Sequence, residues 1–223
     1  MMISDQHGNE LTAPNDIRTR KGSAMALAGG AVLMAIGLSL HLKNIEEEGH
    51  LIETVGRVAA APEVWMIGHV LTGVGGILFI LGLIAVPALA QGRGRRVVAV
   101  GAALTAVGAA SMALGDFAHG SLAYVLIGEV SDQQSLQVQQ QYFDAPLLLA
   151  VGTPGLLLPL GMLVLGGGLL YSRAVPTTAA LLVLVAPIAI QLGFMTTLPM
   201  PVMVLPLLVG MVWLSLILTR KPG

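Results

Sequence analysis

The sequence predicts an all-α polytopic membrane protein: a bundle of six transmembrane helices with two short helices on its outer surface. Three observations carry that expectation. Of the 223 residues, 55% are apolar and 10% are charged, against roughly 25% charged in a soluble domain. The apolar residues gather into six runs, each close to the ~20 residues that cross a hydrocarbon core. The basic residues fall on alternate connections, as the positive-inside bias demands of a multi-pass chain.

Residues 1–22 are polar, contain Pro14, Asn15 and Asp16, and read as a flexible cytoplasmic tail. The apolar run behind them is too long for the core of a cleaved signal peptide. Residues 23–42 form the first span, with Ser23, Gly30 and Gly37 spaced seven apart. The connection over residues 43–63 is acidic. Its Leu51, Ile52, Val55, Val58 and Ala59 recur at helical spacing and predict a short amphipathic helix on the membrane surface.

The second and third spans, residues 64–90 and 97–117, are joined by residues 91–96 with three arginines and no acid. Gly68, Gly75 and Gly82 recur every seventh residue in the second span, and Gly101, Gly108 and Gly115 do so in the third. Such spacing keeps glycine on nearly one helix face. Small residues there let membrane helices approach closely. The expected antiparallel pairing sets Gly68 against Gly115, Gly75 against Gly108 and Gly82 against Gly101.

Beyond this hairpin, residues 122–127 are apolar and either extend the third helix or enter the interface. The Gln-rich residues 131–142 predict a surface helix capped by Ser131 or Asp132. Residues 146–171 form the fourth span, and Pro154 and Pro159 predict a kink or break in it. The fifth span, residues 175–195, is interrupted by Pro187 and carries Gln191. Pro199 and Pro201 mark a tight turn into the sixth span, residues 202–218. Residues 23–218 make one domain, and 219–223 form a second cytoplasmic tail. Gly75 and Gly82-Leu83 echo Gly161 and Gly168-Leu169; shared packing demands explain this better than duplication of a hairpin, since no polar residue is shared.

Orientation follows from charge. An inward amino terminus puts Arg18, Arg20, Lys21, Arg93, Arg95, Arg96, Arg173, Arg220 and Lys221 inside, and only Lys43 and Arg57 outside. Both termini are thus expected in the cytoplasm of a cell with a bacterial-type inner membrane. The absence of cysteine removes thiol nucleophiles, thiolate zinc sites and iron–sulfur clusters. A net charge of −1 leaves no nucleic-acid footprint.

The polar residues worth singling out lie at the outer helix ends. Glu63, Trp65, His69, Asp116 and His119 collect at the open end of the second and third spans, and His41 ends the first. Ionisable groups at membrane depth mark a functional site by default. Together these six residues are the candidate ligand-binding set, around a polar pocket between spans one, two and three. Against that stands an ordinary interfacial role, in which each polar tip simply reaches water. His69, His119 and Asp116 are the ligands if a metal is bound, although no tight motif such as H-x-x-x-H is present. A single haem between His69 and His119 is sterically conceivable, but the inner half has no second histidine pair for trans-bilayer electron transfer. The sequence itself requires no cofactor.

The pattern Pro62-x-x-Trp65-x-x-x-His69-x-Leu71-x-x-x-Gly75-x-x-Leu78-x-x-x-Gly82-Leu83, followed by Arg93-Gly94-Arg95-Arg96, resembles small multi-helix bacterial integral membrane proteins grouped as a family of unknown function. The likeness covers residues 50–115. It implies a six-helix membrane protein and transfers no catalytic residue.

Three function classes are compatible with this reading. The first is a small carrier or binding protein for an apolar or amphipathic molecule. The second is a membrane enzyme acting on a lipid or isoprenoid, with Asp116 as acid and His69 or His119 as base; Glu129 and Asp144 are weaker acid candidates. The third is a structural or accessory subunit. The lipid bilayer is the one certain partner, an apolar small molecule is the next, and the glycine faces suit a homo-oligomer.

Overall fold

The computed structural model describes residues 13–40, 58–126, 129–146, 153–196 and 198–220. All regular structure among them is helical. The elements are α1 (Ala13–Leu40), α2 (Pro62–Leu83), α3 (Gly92–Leu126), α4 (Asp132–Asp144), α5 (Leu157–Ser172), α6 (Thr177–Met195), α7 (Met200–Met203) and α8 (Leu205–Thr219). Six segments are long and apolar enough to cross a membrane: Thr19–Leu40, Pro62–Leu89, Gly92–Leu126, Pro154–Ser172, Thr177–Met195 and Met200–Thr219. The bundle therefore has a histidine end, carrying His69 and His119, and an arginine end, carrying Arg93 to Arg96.

The helix ends depart from expectation in ways that proline and glycine explain. α1 starts at Ala13, inside the segment expected to be a tail. Pro14 sits in its first turn, where a missing N–H has no helical bond to lose. α3 starts at Gly92, whose positive φ of 55° turns the chain, so the three arginines belong to its first turns rather than to a loop. At its other end α3 continues through the apolar residues to Leu126. The break in the fourth span is a 3-10 turn over Thr153–Leu156, after which Pro159 lies in the first turn of α5. Pro187 lies inside α6 and has no N–H to offer the carbonyl four residues earlier. α4 is capped by Ser131: the Gln134 amide N–H donates to Ser131 Oγ at 3.4 Å, and the Ser131 amide N–H donates to Gln134 Oε1 at 3.1 Å, a reciprocal capping box. Of the surface helix expected around residues 51–59, Val58 and Ala59 are helical and the rest lies outside the described residues.

The spans form a closed ring in chain order. α1 packs on α2, α2 on α3, α3 on α5, α5 on α6, α6 on α8, and α8 returns to α1. Helices in lipid gain little from apolar transfer and associate by close packing, and glycine supplies the closeness here. The seams are not the ones expected. Gly75 meets α1, where an added Cβ would stand 2.7 Å from the Met34 nitrogen. Gly82 faces Leu27, and Gly68 faces Leu40 and Gly37. Gly101 and Gly108 press instead on Leu165 and Leu158 of α5, and Gly115 has nothing within 4 Å. The predicted pairing of the two glycine rows is thus overturned: each row seals its helix to the neighbour on the far side. A seven-residue period fixes that a face is small, but leaves open which neighbour it meets.

α2 and α3 do pack together, through other residues. Gly76 faces Ala109 and Ala113, and Gly73 lies under the Phe117 ring. The echo between α2 and α5 reflects equivalent duties, since Gly161 and Gly168 of α5 face Thr105 and Val98 of α3 as Gly75 and Gly82 face α1. Buried hydroxyls are satisfied within their own helices: Thr72 Oγ1 donates to the Gly68 carbonyl at 2.9 Å, and Thr105 Oγ1 to the Gly101 carbonyl at 2.7 Å. Of the glycine rows, Gly68, Gly75, Gly82, Gly101 and Gly108 are occupied by neighbouring helices of the same chain, and Gly115 is open. At the arginine end the ring is filled by Leu27, Phe79, Leu83, Leu165, Leu169 and Val183, all buried. Toward the histidine end the described residues leave a cavity.

Candidate functional site

Two features occupy the histidine end. One is an aromatic cluster between α2 and α3, and the other is a cavity inside the ring.

Trp65 and His69 are one turn apart on α2 and share a face. His119 reaches them from α3. The ring centroids of Trp65 and His69 lie 4.3 Å apart, and His119 stands edge-on to both at 5.4 Å. His69 is 2% exposed. Its Nδ1 lies 2.9 Å from the Trp65 carbonyl oxygen. A carbonyl only accepts, so Nδ1 carries the proton, and in a neutral ring Nε2 keeps its lone pair. Trp65 also packs with Val58 and Ala123, tying the entry of α2 to the far end of α3. Edge-to-face aromatic pairs contribute about 0.5–1.5 kcal/mol each beyond their burial. The cluster is therefore closed and packed. Where the open end of an α2–α3 polar pocket was expected, the described residues place these three rings in contact.

The sequence-predicted residues divide accordingly. Trp65, His69 and His119 come together. Asp116 lies one turn before Gly120 and one turn beyond Met112 on α3, with its Oδ2 withdrawn from solvent. Glu63 is exposed in the first turn of α2, where a carboxylate faces the positive end of the helix dipole, and it stands outside the cluster. His41 lies outside the described residues. Glu129 is exposed, and Asp144 is an exposed surface acid that accepts a hydrogen bond from Gln140 Nε2 at 3.0 Å. Among the described residues no three His, Asp or Glu side chains converge as a metal-holding group. His69 and His119 touch directly, so a haem plane does not fit between them in this arrangement.

The cavity was not anticipated as such. It has a volume of about 210 Å³ and is bounded by Met34 and Leu38 of α1, Met112 of α3, the Gly155–Pro159 break ahead of and within α5, Pro187 to Phe194 of α6, and Leu207 of α8. A buried water needs only about 10–15 Å³ by the same measure, so this space suits an organic group. Its origin is visible in the backbone. The 3-10 turn at Thr153–Leu156 precedes α5, and Pro187 removes one backbone hydrogen bond inside the continuous helix α6, both beside the cavity. Among the described residues Gln191 is the single polar side chain in the lining. The signals that point to it were present in the sequence as the prolines and Gln191, but their convergence needed the ring order. Met112 and Asp116 share a helix face, which puts Asp116 one turn from the cavity on its histidine side.

Comparison of this chain with protein-family models, with curated proteins and with solved structures gives no match.

Proposed function

We propose that this protein is a small membrane carrier or binding protein for an apolar or amphipathic molecule. The observation that carries the reading is the apolar cavity of about 210 Å³ held inside a ring of six membrane-length helices. A native core is packed to crystal-like density, and this apolar space departs from that packing in a way that suits an apolar guest. Three methionines line it, and their flexible thioethers adapt to guests of varied shape. The aromatic cluster of Trp65, His69 and His119 has a supporting part in this reading: it locks the α2–α3 edge of the ring beside the site. Asp116 is the ionisable group nearest the ligand along α3.

The orientation that fits nine basic residues on one side and two on the other puts the arginine end at the cytoplasmic face of a bacterial-type inner membrane, and the cavity toward the outer face. The experiment is extraction of exhaustively washed protein with organic solvent, followed by mass spectrometry. Enrichment of one class of apolar or amphipathic molecule over the surrounding lipid supports a binding protein. An extract with the composition of bulk lipid overturns it.

A second reading is supported by the place of Asp116 one turn from the cavity on the face of Met112: a membrane enzyme using that carboxyl as an acid on a lipid-like substrate. Product formed from the extracted molecule in detergent, without any gradient, and lost in Asp116→Asn, distinguishes it from a carrier.

A further inference from the structure

We infer that the ligand enters sideways from the bilayer, through a portal between α5 and α6 at the histidine end, and that Gln191 receives its polar group; the occupant is a single-chain amphiphile with an uncharged hydroxyl or carbonyl head. The inference rests on the proposed binding function and specifies its route and ligand class.

Near the arginine end α5 and α6 are tight. A Cβ on Gly166 would stand 2.7 Å from the Leu184 nitrogen. Toward the histidine end they no longer seal. Leu156 and Pro159, and Gln191 opposite them on α6, line the cavity and are also exposed on the outside of the ring, Leu156 by 70%. Side chains that are at once inside a cavity and on the surface mark its opening. The other seams at this level are filled. Leu158 covers Gly108 between α3 and α5, and Met200 and Met203 cover Gly193 between α6 and the start of the sixth span. Ala35, Leu38, Met200 and Val204 close the gap between α1 and that span. Because Gln191 lies four residues inside the end of α6 at Met195, about 6 Å at the helical rise, the opening faces lipid just below the interface.

The chemistry of the opening selects the occupant. Among the described residues no Asp, Glu, Lys, Arg or His lines the cavity, so a charged head entering it would lose its hydration with no counter-ion from them. The Gln191 amide offers both donors and an acceptor. It makes no hydrogen bond with any described residue, and an amide left so in apolar surroundings is unfavourable. A hydroxyl or carbonyl satisfies it from the lipid side. The volume suits one flexible chain segment.

The absence of native cysteine makes the test clean. Full-length protein in phosphatidylcholine vesicles is photolabelled with diazirine-bearing hexadecanol, and in parallel with diazirine-bearing hexadecane and palmitate. Labelled residues are found by peptide mass spectrometry. Hexadecanol is expected on Met112, Met162 and Phe194, and Gln191→Leu should lower that labelling about fivefold, the worth of one hydrogen bond, while leaving hexadecane unchanged. A reversible dithiol-specific cross-link across Leu156→Cys and Phe194→Cys should abolish cavity labelling, and reduction should restore it, which shows the fold survives. Cavity labelling that ignores both the cross-link and Gln191→Leu overturns the portal while leaving the binding function standing. Palmitate labelling as strong as hexadecanol overturns the uncharged head. No probe in the cavity, with the cross-link open, overturns the binding function itself.

Discussion

Gly120 of α3 lies directly against His69 of α2: a Cβ built on the glycine would stand 2.6 Å from the histidine Cβ and 2.8 Å from its Cγ. This contact, rather than a row of facing glycines, lets the imidazole sit beneath α3 and meet Trp65 and His119. Both close atoms are held by backbone or ring, so neither moves cheaply. Gly120→Val should therefore lower stability by about 1–3 kcal/mol through overpacking. A reduced thermal unfolding temperature in detergent checks this, together with loss of the Trp65 fluorescence environment, compared in a background where Trp213 is replaced by Phe.

The glycine rows give a sharper test, because the structure and the sequence pattern differ about one residue. Gly115 has open space around it, whereas Gly108 is pressed on the Leu158 backbone. Gly115→Ala should be neutral or slightly stabilising, since alanine is the better helix former by about 1 kcal/mol. Gly108→Ala should destabilise by about 1–3 kcal/mol. Equal effects at the two sites would restore the direct pairing of the α2 and α3 glycines.

The aromatic cluster predicts a tautomer-dependent role for His69. Its Nδ1–H donates to the Trp65 carbonyl within one helix turn. Asparagine offers an N–H near the Nδ1 position, whereas leucine offers none. His69→Asn should retain more thermal stability than His69→Leu by about 1 kcal/mol, one net hydrogen bond. If the two variants melt together, that bond contributes nothing.

Topology is checked by thiol accessibility in the otherwise cysteine-free chain. Gln91→Cys, beside the arginines, should react with a membrane-impermeant maleimide only after the cells are opened. Glu129→Cys, beyond α3, should react in intact cells. The reverse pattern would overturn the inward placement of the nine basic residues.

Much of the fold was legible in the sequence, and the reasons are physical. A hydrocarbon core fixes the length and apolarity of each span, so all six appear as runs. Ser131 with Gln134 announces the start of α4 through a local capping box, which depends on four residues only. Trp65, His69 and His119 were found because the second and third spans are joined by a short turn, which forces their open ends together. What failed was anything that depends on the rotation of a helix about its axis. Gly68, Gly75 and Gly82 are a small face in any arrangement, and the sequence holds no local signal that this face looks at α1 and not α3. The cavity was hidden for the same reason. Pro154, Pro159, Pro187 and Gln191 were each visible as local breaks or polar exceptions, but Met34, Met112 and Leu207 join them only once the spans close into a ring.

The central claim is that the space inside the ring at the histidine end holds a ligand. Met112 lines that space at its α3 side, and a larger side chain there fills the void without touching the glycine seams. Native mass spectrometry of protein released from detergent, wild type beside Met112→Trp, tests it directly. The wild-type chain should carry a single bound amphiphile that is absent from a Met112→Trp chain of undiminished thermal stability. Identical spectra from the two proteins, with or without a bound molecule, would contradict the claim.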